Sequence, residues 1–343
     1  FDWCDDFAAA RNESLRLATG DWVLWLDADD RLPAEYVNTI RRLVSGPRDR
    51  GYFFVLDDQG YESVSCLQMR LFPNLEGVCF QMPIHEQVTP SLARLGVEMV
   101  PTPVRVVHTG YSTPEIVSAK KDRYLRIMES WLTAHPEDYI VRSHVALTYH
   151  TTGRLQEAAE QYRIIIEDSD CRRDRNFVIL TTSLLFLGRT WHKLGDLTVA
   201  LGWVQQAEEL DGDYVLTQFS LAEMLLEQGD AEGSVVHAQK VLTRDHEQLT
   251  FFPIDQNELS YSALHVLGRA QALLGHIDQA EQSLRQASEI PVARRSEALG
   301  QLSEILKDAG EPDRARVALD DALKIAPQNP RHLFNVGMLH LEA

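Results

Sequence analysis

The chain has 343 residues, 44% hydrophobic and 24% charged, which is soluble-protein composition and length enough for two cores, or for one core and a solenoid. Its net charge of −18 divides into −5 over residues 1–125 and −13 over the remainder, an acidic balance that repels phosphate backbones and excludes nucleic acid as the expected partner. No apolar run reaches the roughly 18 residues of a membrane-spanning helix, the first thirty residues lack a leader pattern, and Cys4, Cys66, Cys79 and Cys171 form no Cys-x-x-Cys pair, so zinc knuckles and disulfide frameworks give way to buried free thiols.

Residues 6–15 predict an amphipathic helix that feeds a strand through the turn Thr19-Gly20-Asp21. Trp22, Val23, Leu24, Trp25 and Leu26 then make an apolar run, which predicts a buried strand delivering Asp27, Asp29 and Asp30 at its carboxyl end, where open α/β sheets place their ligands. Residues 33–44 predict a second helix, with Pro33 in its first turn. Residues 51–56, 64–72, 97–100 and 104–107 predict strands, so the first third is an α/β layer domain. Three carboxylates within four residues repel one another unless a cation gathers them, and hard divalent ions such as Mn²⁺ or Mg²⁺ take oxygen ligands and complete their shell with phosphate and water. A merely solvated acidic loop is the bland alternative.

The second half repeats. Gly153, Gly195, Gly229, Gly275 and Gly310 follow seven residues after Ala146, Gly188, Ala222, Gly268 and Ser303. They precede by five Ala158, Ala200, Ser234, Ala280 and Ala315, and Ile165, Ala207, Val241, Ala287 and Ala322 follow a further seven on. The glycine intervals are 42, 34, 46 and 35 residues, the longer two implying insertions. Antiparallel helices approach closely only where side chains are small, and the turn between them favours a residue tolerant of positive φ. The pattern resembles the tetratricopeptide repeat, with Leu187, Gly188, Trp191, Gly195 and Ala200 as the cleanest copy and Leu333, Val336, Gly337 and His340 opening a sixth. Such arrays bind peptides or other domains, yet the repeat specifies no ligand.

Asp6-Phe7, Arg11-Asn12, Gly20-Asp21-Trp22 and Leu26-Asp27-Ala28-Asp29-Asp30 resemble the middle of the family-2 inverting glycosyltransferases of GT-A fold. Arg70-Leu71-Phe72-Pro73-Asn74, Ile84-His85-Glu86 and Val107-His108-Thr109-Gly110-Tyr111 continue the match in order. The series is similar to the bacterial branch in which the transferase precedes tetratricopeptide repeats. The resemblance implies that Asp29 is a metal ligand against the donor diphosphate, that His108 completes the metal shell, and that Asp27, Arg11 and Asn12 lie near the donor. It also implies that Glu86 is the base taking the acceptor proton, with His85 beside it in substrate binding and Asp30 as the second catalytic candidate. A helix-surface pair for Arg11 and Asn12, a surface Glu86 and a structural His108 are the bland readings.

The expected organisation is therefore α/β, a partial Rossmann-like GT-A domain over residues 1–112, then a connecting helix over 113–136 and an all-α tetratricopeptide solenoid over 137–343. The chain starts at Phe1 and stops at Ala343 within patterned segments, so it is expected to be a fragment without the front half that holds nucleotide base and ribose. The expected function is metal-dependent transfer, with Mn²⁺ or Mg²⁺, from a nucleotide-sugar donor of the UDP-sugar kind to a glycan, lipid-linked or peptide acceptor. A protein partner on the repeats and a cytoplasmic address, with peripheral attachment to the inner membrane as the variant, complete the expectation. The alternative is an inactive interaction scaffold. A haloacid-dehalogenase-like phosphatase fits less well, because Asp30 and Arg31 follow the second aspartate where that family has small residues.

Overall fold

The computed structural model describes residues 1–58, 64–109, 114–168, 177–243 and 254–342. The chain forms two compact units, Phe1–Asp168 with His246–Asp255, and Ser169–Asp245 with Gln256–Ala343. Among the described residues no helix is long and apolar enough to cross a membrane.

The first unit is built on a mixed sheet. Its strands are β1 (Trp22–Leu24), β2 (Asp30–Arg31), β3 (Arg50–Asp58), β4 (Val64–Pro73) and β5 (Glu98–His108), in the order β1-β4-β3-β5-β2, and β6 (Ile254–Asp255) adds to β4. Among the described residues only the β3–β5 pair is parallel. Helix α1 (Phe7–Arg16) begins at Asp6, whose carboxylate accepts from the Ala9 N–H and so satisfies one of the orphan donors of the first turn. Helices α2 (Val37–Val44) and α3 (Thr89–Arg94) complete the layers. Phe53, Val55, Leu67 and Phe72 pack with Ala8 and Leu15 of α1 and Leu92 of α3, whereas Tyr52, Phe54, Val104 and Val106 pack with Ile40, Leu43 and Val44 of α2. Both faces of β3 are thus covered, which is why it reads as an unbroken apolar run.

Four local expectations change. The run 22–26 is an edge strand of three residues, with Val23 buried but Leu24 and Leu26 exposed, because among the described residues it pairs only with β4. The segments 97–100 and 104–107 are one strand, β5, which passes through Pro101 and Pro103; between them the Thr102 hydroxyl donates to Phe53 O at 2.8 Å in place of a missing N–H. The second helix begins with a 3-10 turn, Ala34–Tyr36, and Pro33 stands before it. Of the thiols, Cys66 is buried, Cys79 half-buried and Cys4 exposed, the last against expectation since it lies in the open segment before α1. Cys171, like Gly110 and Tyr111, lies outside the described residues.

Helices α4 (Pro114–Ala134), α5 (Tyr139–Thr151) and α6 (Leu155–Glu167) follow the sheet within the first unit. The second unit holds the hairpins α7 (Phe177–Lys193) with α8 (Leu197–Leu210), α9 (Val215–Gln228) with α10 (Ala231–Thr243), α11 (Gln256–Leu273) with α12 (Ile277–Glu289), and α13 (Ser296–Asp308) with α14 (Pro312–Ile325), then α15 (Pro330–Glu342). All five turn glycines have positive φ, between 78° and 94°. Ala146, Ala222, Ala158, Ala200, Ser234, Ala280 and Ala315 are fully buried. A Cβ on Gly188 would lie 2.5 Å from Val204 Cγ2 and 2.8 Å from Ala200 O, and one on Gly268 would lie 2.6 Å from Leu284 Cγ. The small residues are therefore where helices cross, as the repeat spacing requires.

Candidate active site

Asp27 to Asp30 form a turn between β1 and β2. The Asp30 N–H donates to Asp27 O at 3.0 Å, and the Asp27 N–H donates to the Asp30 side chain at 2.9 Å. Register then sets the cluster: β2 pairs with β5 so that Asp30 stands opposite His108. The Asp30 carboxylate is wholly buried, with His108 Nδ1 3.0 Å from one oxygen and Arg70 Nη2 3.0 Å from the other. Asp29 is exposed, its carboxylate 3.6 Å from His108 Nε2 while its carbonyl accepts from the backbone and hydroxyl of Thr109.

Ligand atoms of Asp29, Asp30 and His108 lie within 4.8 Å of one another. The donor chemistry separates them. Both Asp30 oxygens are engaged inside the fold, so its part is to accept from His108 Nδ1–H, which leaves the Nε2 lone pair outward; carboxylates fix metal-binding histidines in this way. Asp29 Oδ2 and His108 Nε2 are the pair that fits a divalent ion, since two ligands at about 2.1 Å on adjacent octahedral positions stand about 3 Å apart.

Arg70, which the sequence offered only as part of a matching motif and without a role, proves central to the cluster. It is 3% exposed, its guanidinium pairs with both Asp27 (3.2 Å) and Asp30 (3.0 Å), and its carbonyl accepts from the Trp25 N–H. Arginine is seldom buried without a partner, and an Arg inside the apolar strand 64–72 was the available signal.

Arg11 reaches from α1 to the same cluster. Nη1 donates to Asp27 at 2.8 Å, Nε pairs with the Glu86 carboxylate, and the guanidinium lies over the Trp25 and Phe80 rings. Burial alone would raise the Asp27 pKa, but the adjacent Arg11 and Arg70 reverse it and hold that carboxyl below its ordinary value. Asn12 makes no approach to this group; its amide is paired in both directions with the Phe80 backbone, at 2.9 and 2.7 Å, and so fixes the start of the loop that carries Glu86. His85, next to Glu86, stacks on His144 of α5.

Arg11, Asp27, Arg70, His85, Glu86 and His108 all border one cavity of about 450 Å³, with Trp25, Phe80 and Tyr124 as its aromatic wall. Asp29 is outside that lining and meets it through His108. Glu86 is 10% exposed at its side chain, and among the described residues nothing hydrogen-bonds its second oxygen. The arrangement offers a cation site at one part of the rim and a carboxylate with a vacant acceptor at another.

Comparison with known proteins finds different families at the two ends of the chain. Residues 2–94 match glycosyl transferase family 2, and residues 261–286 and 296–329 match tetratricopeptide repeat families. A TPR repeat-containing protein of Synechococcus elongatus is 34% identical over 166 residues, 46% of this chain and 41% of that protein, so the chain spans less than half of its length. Among solved structures, the APC/C hetero-tetramer Cut9–Hcn1 aligns with a TM-score of 0.51 at 16% identity, covering 65% of this chain and 40% of that one, and shares the helical-hairpin fold. YrrB, a TPR protein, aligns with a TM-score of 0.47 at 16% identity over 61% of this chain and 97% of its own. The chain joins a glycosyl transferase family 2 segment to a tetratricopeptide repeat array.

Proposed function

We propose that the sheet-bearing unit supplies the metal-binding and acceptor-activating part of an inverting glycosyltransferase, moving a sugar from a nucleotide-sugar donor, of the UDP-sugar kind, to an acceptor hydroxyl. The observation that carries this reading is the placement of Glu86, Asp27 and His108 around one cavity, with Asp29 beside the outward nitrogen of His108. Asp29 and His108 would hold Mn²⁺ or Mg²⁺, which would supply positive charge for the donor diphosphate and the departing nucleotide. Asp30 orients His108, and Arg70 holds Asp27 and Asp30 in place as paired carboxylates. Glu86 takes the acceptor proton through its vacant oxygen, while Arg11 fixes the carboxylate through the other. Residues 1–112 act as the transferase segment, 113–136 as the connecting helix and 137–343 as an array that binds a protein partner, in the cytoplasm, with a glycan, lipid-linked glycan or peptide as acceptor.

The test is release of UDP from UDP-glucose and UDP-N-acetylglucosamine by the full-length protein, with Mn²⁺ and then with chelator. Metal-dependent release that is lost in Asp29→Ala supports the reading. Release that persists in chelator refutes the metal role, and no release from any nucleotide sugar favours the inactive scaffold.

A further inference from the structure

Glu86 sits in a loop with an unusual backbone. The loop is closed at its ends by a reciprocal pair, Gln81 N–H to Gln87 O at 2.9 Å and Gln87 N–H to Gln81 O at 3.0 Å. Within it two side-chain-bearing residues are left-handed, Met82 at φ 73° and His85 at φ 57°. Each such residue is strained and persists only where its surroundings hold it. Met82 is held by burial, and Pro83 by an N–H from Phe7 to its carbonyl at 2.9 Å. His85 is exposed and among the described residues has no hydrogen bond of this kind; its restraint is aromatic. Its ring stacks on His144 of α5 with centroids 4.3 Å apart and planes 23° from parallel, and it meets Tyr124 of α4 edge-on at 6.4 Å.

We propose that His144 is a positioning residue for Glu86: by backing the His85 ring it holds the left-handed turn immediately before Glu86 and so aims that carboxylate at Arg11 and the cavity. The inference rests on the reading of Glu86 as the base. It gives the helices after the sheet a part in the site, since α4 supplies Tyr124 and α5 supplies His144. The two imidazoles stack face to face, an arrangement that suits uncharged rings. Burial, and then the adjacent His85, push the His144 pKa down to about 3, so its ring is neutral throughout the physiological range.

The experiment compares His144→Ala and His144→Phe in the full-length protein. Hydrogen exchange is followed in the peptide spanning residues 81–87, and kcat and KM are measured from UDP release with UDP-glucose. His144→Ala frees the His85 turn, so exchange at the Gln81 and Gln87 amides should rise about tenfold or more. A displacement of the base by an ångström should lower kcat about a hundredfold with KM for UDP-glucose little changed. His144→Phe keeps a flat ring on His85 and should restore both. Adding His85→Gly to His144→Ala should recover the exchange protection alone, because glycine needs no help to be left-handed. Unchanged exchange in His144→Ala, or a failure of His144→Phe to rescue a folded protein, overturns the proposal. If no UDP is released by the unaltered protein, the assigned function fails, while the exchange measurement still decides the role of His144.

Discussion

Asp29 and Asp30 are neighbours in sequence with opposite surroundings, and replacing each makes a sharp prediction. The Asp30 carboxylate is fully buried, accepting from His108 Nδ1 on one oxygen and from Arg70 and the Asp27 N–H on the other. In Asp30→Asn the remaining oxygen can keep Arg70 and the Asp27 N–H, but the amide NH₂ now faces His108 as a donor. His108 must then accept at Nδ1 and carry its proton on Nε2, where a metal can no longer bind. Changes in the groups that orient metal-ligating histidines cost 10–100-fold in affinity, and the wrong tautomer places Asp30→Asn at about a hundredfold, or about 2.7 kcal/mol. The bond to the buried Arg70 is kept but becomes neutral where it was charged, which costs about 1 kcal/mol of stability. Asp29→Ala, by contrast, removes an exposed ligand whose side chain has only the 3.6 Å approach to His108, so metal binding is lost while metal-free stability changes by less than about 0.5 kcal/mol. Titration calorimetry with Mn²⁺ reads the first effect and melting in chelator the second. Wild-type Mn²⁺ affinity in Asp30→Asn, or an equal loss of metal-free stability in the two variants, refutes the separation of ligand from orienting residue.

Glu86→Gln keeps a hydrogen-bonding partner for Arg11 but removes proton acceptance, and should lower UDP release by about two to four orders of magnitude with donor affinity little changed; near-normal turnover would move the base elsewhere. In the hairpin α7–α8, Gly202 has open space around it, so Gly202→Ala should stabilise by about 0.8–1 kcal/mol. Gly188→Ala meets Ala200 O and Val204 and should destabilise by about 1–2 kcal/mol net, both read by urea unfolding followed at helical circular dichroism. Acid should weaken both units: burial depresses His144 to about 3 and His265 to about 4, whereas the unfolded histidines protonate near 6.5. Stability is thus complete above pH about 6.5 and falls as pH drops towards those values, by up to about 1.4 kcal/mol per pH unit for each group. His144→Phe should remove its share, and a melting profile with the same acid slope in that variant would show that His144 does not titrate on unfolding.

What could be read from the sequence follows the range of the interaction. The repeat was legible because its determinants are local and recur: a left-handed glycine in each turn and a small residue at each crossing are set by hairpin geometry alone, so the same spacing appears five times. Strand β3 was legible for the same reason, as an apolar run of strand length, and β4 as a largely apolar stretch interrupted by Ser65, Gln68 and Arg70. Strand β1 misled because an apolar run does not say how many neighbours it has, and here it has one among the described residues. The cluster around Asp30 was legible only as a set of residue types. Sequence placed Asp29, Asp30 and His108 in a list; the β2–β5 register brings their ligand atoms within 4.8 Å, and only that register separates the buried carboxylate from the exposed one.

The electrostatic frame between Glu86 and His108 shows why the rest stayed hidden. Arg11 pairs with Glu86 and Asp27, Arg70 with Asp27 and Asp30, and Asp30 with His108, so acids and bases alternate through residues drawn from α1, the β1–β2 turn, β4, the 81–87 loop and β5. Each pair joins segments 16 or more residues apart except within the turn itself, and no periodicity links one member to the next. A buried arginine announces that carboxylates must gather round it, because an unpaired charge in the interior costs several kcal/mol. It does not announce which ones. In a chain with 51 acidic residues that choice is made by strand register and helix packing, and the same argument covers His144, whose partner His85 is 59 residues away and can be known only once α5 has been laid against the loop.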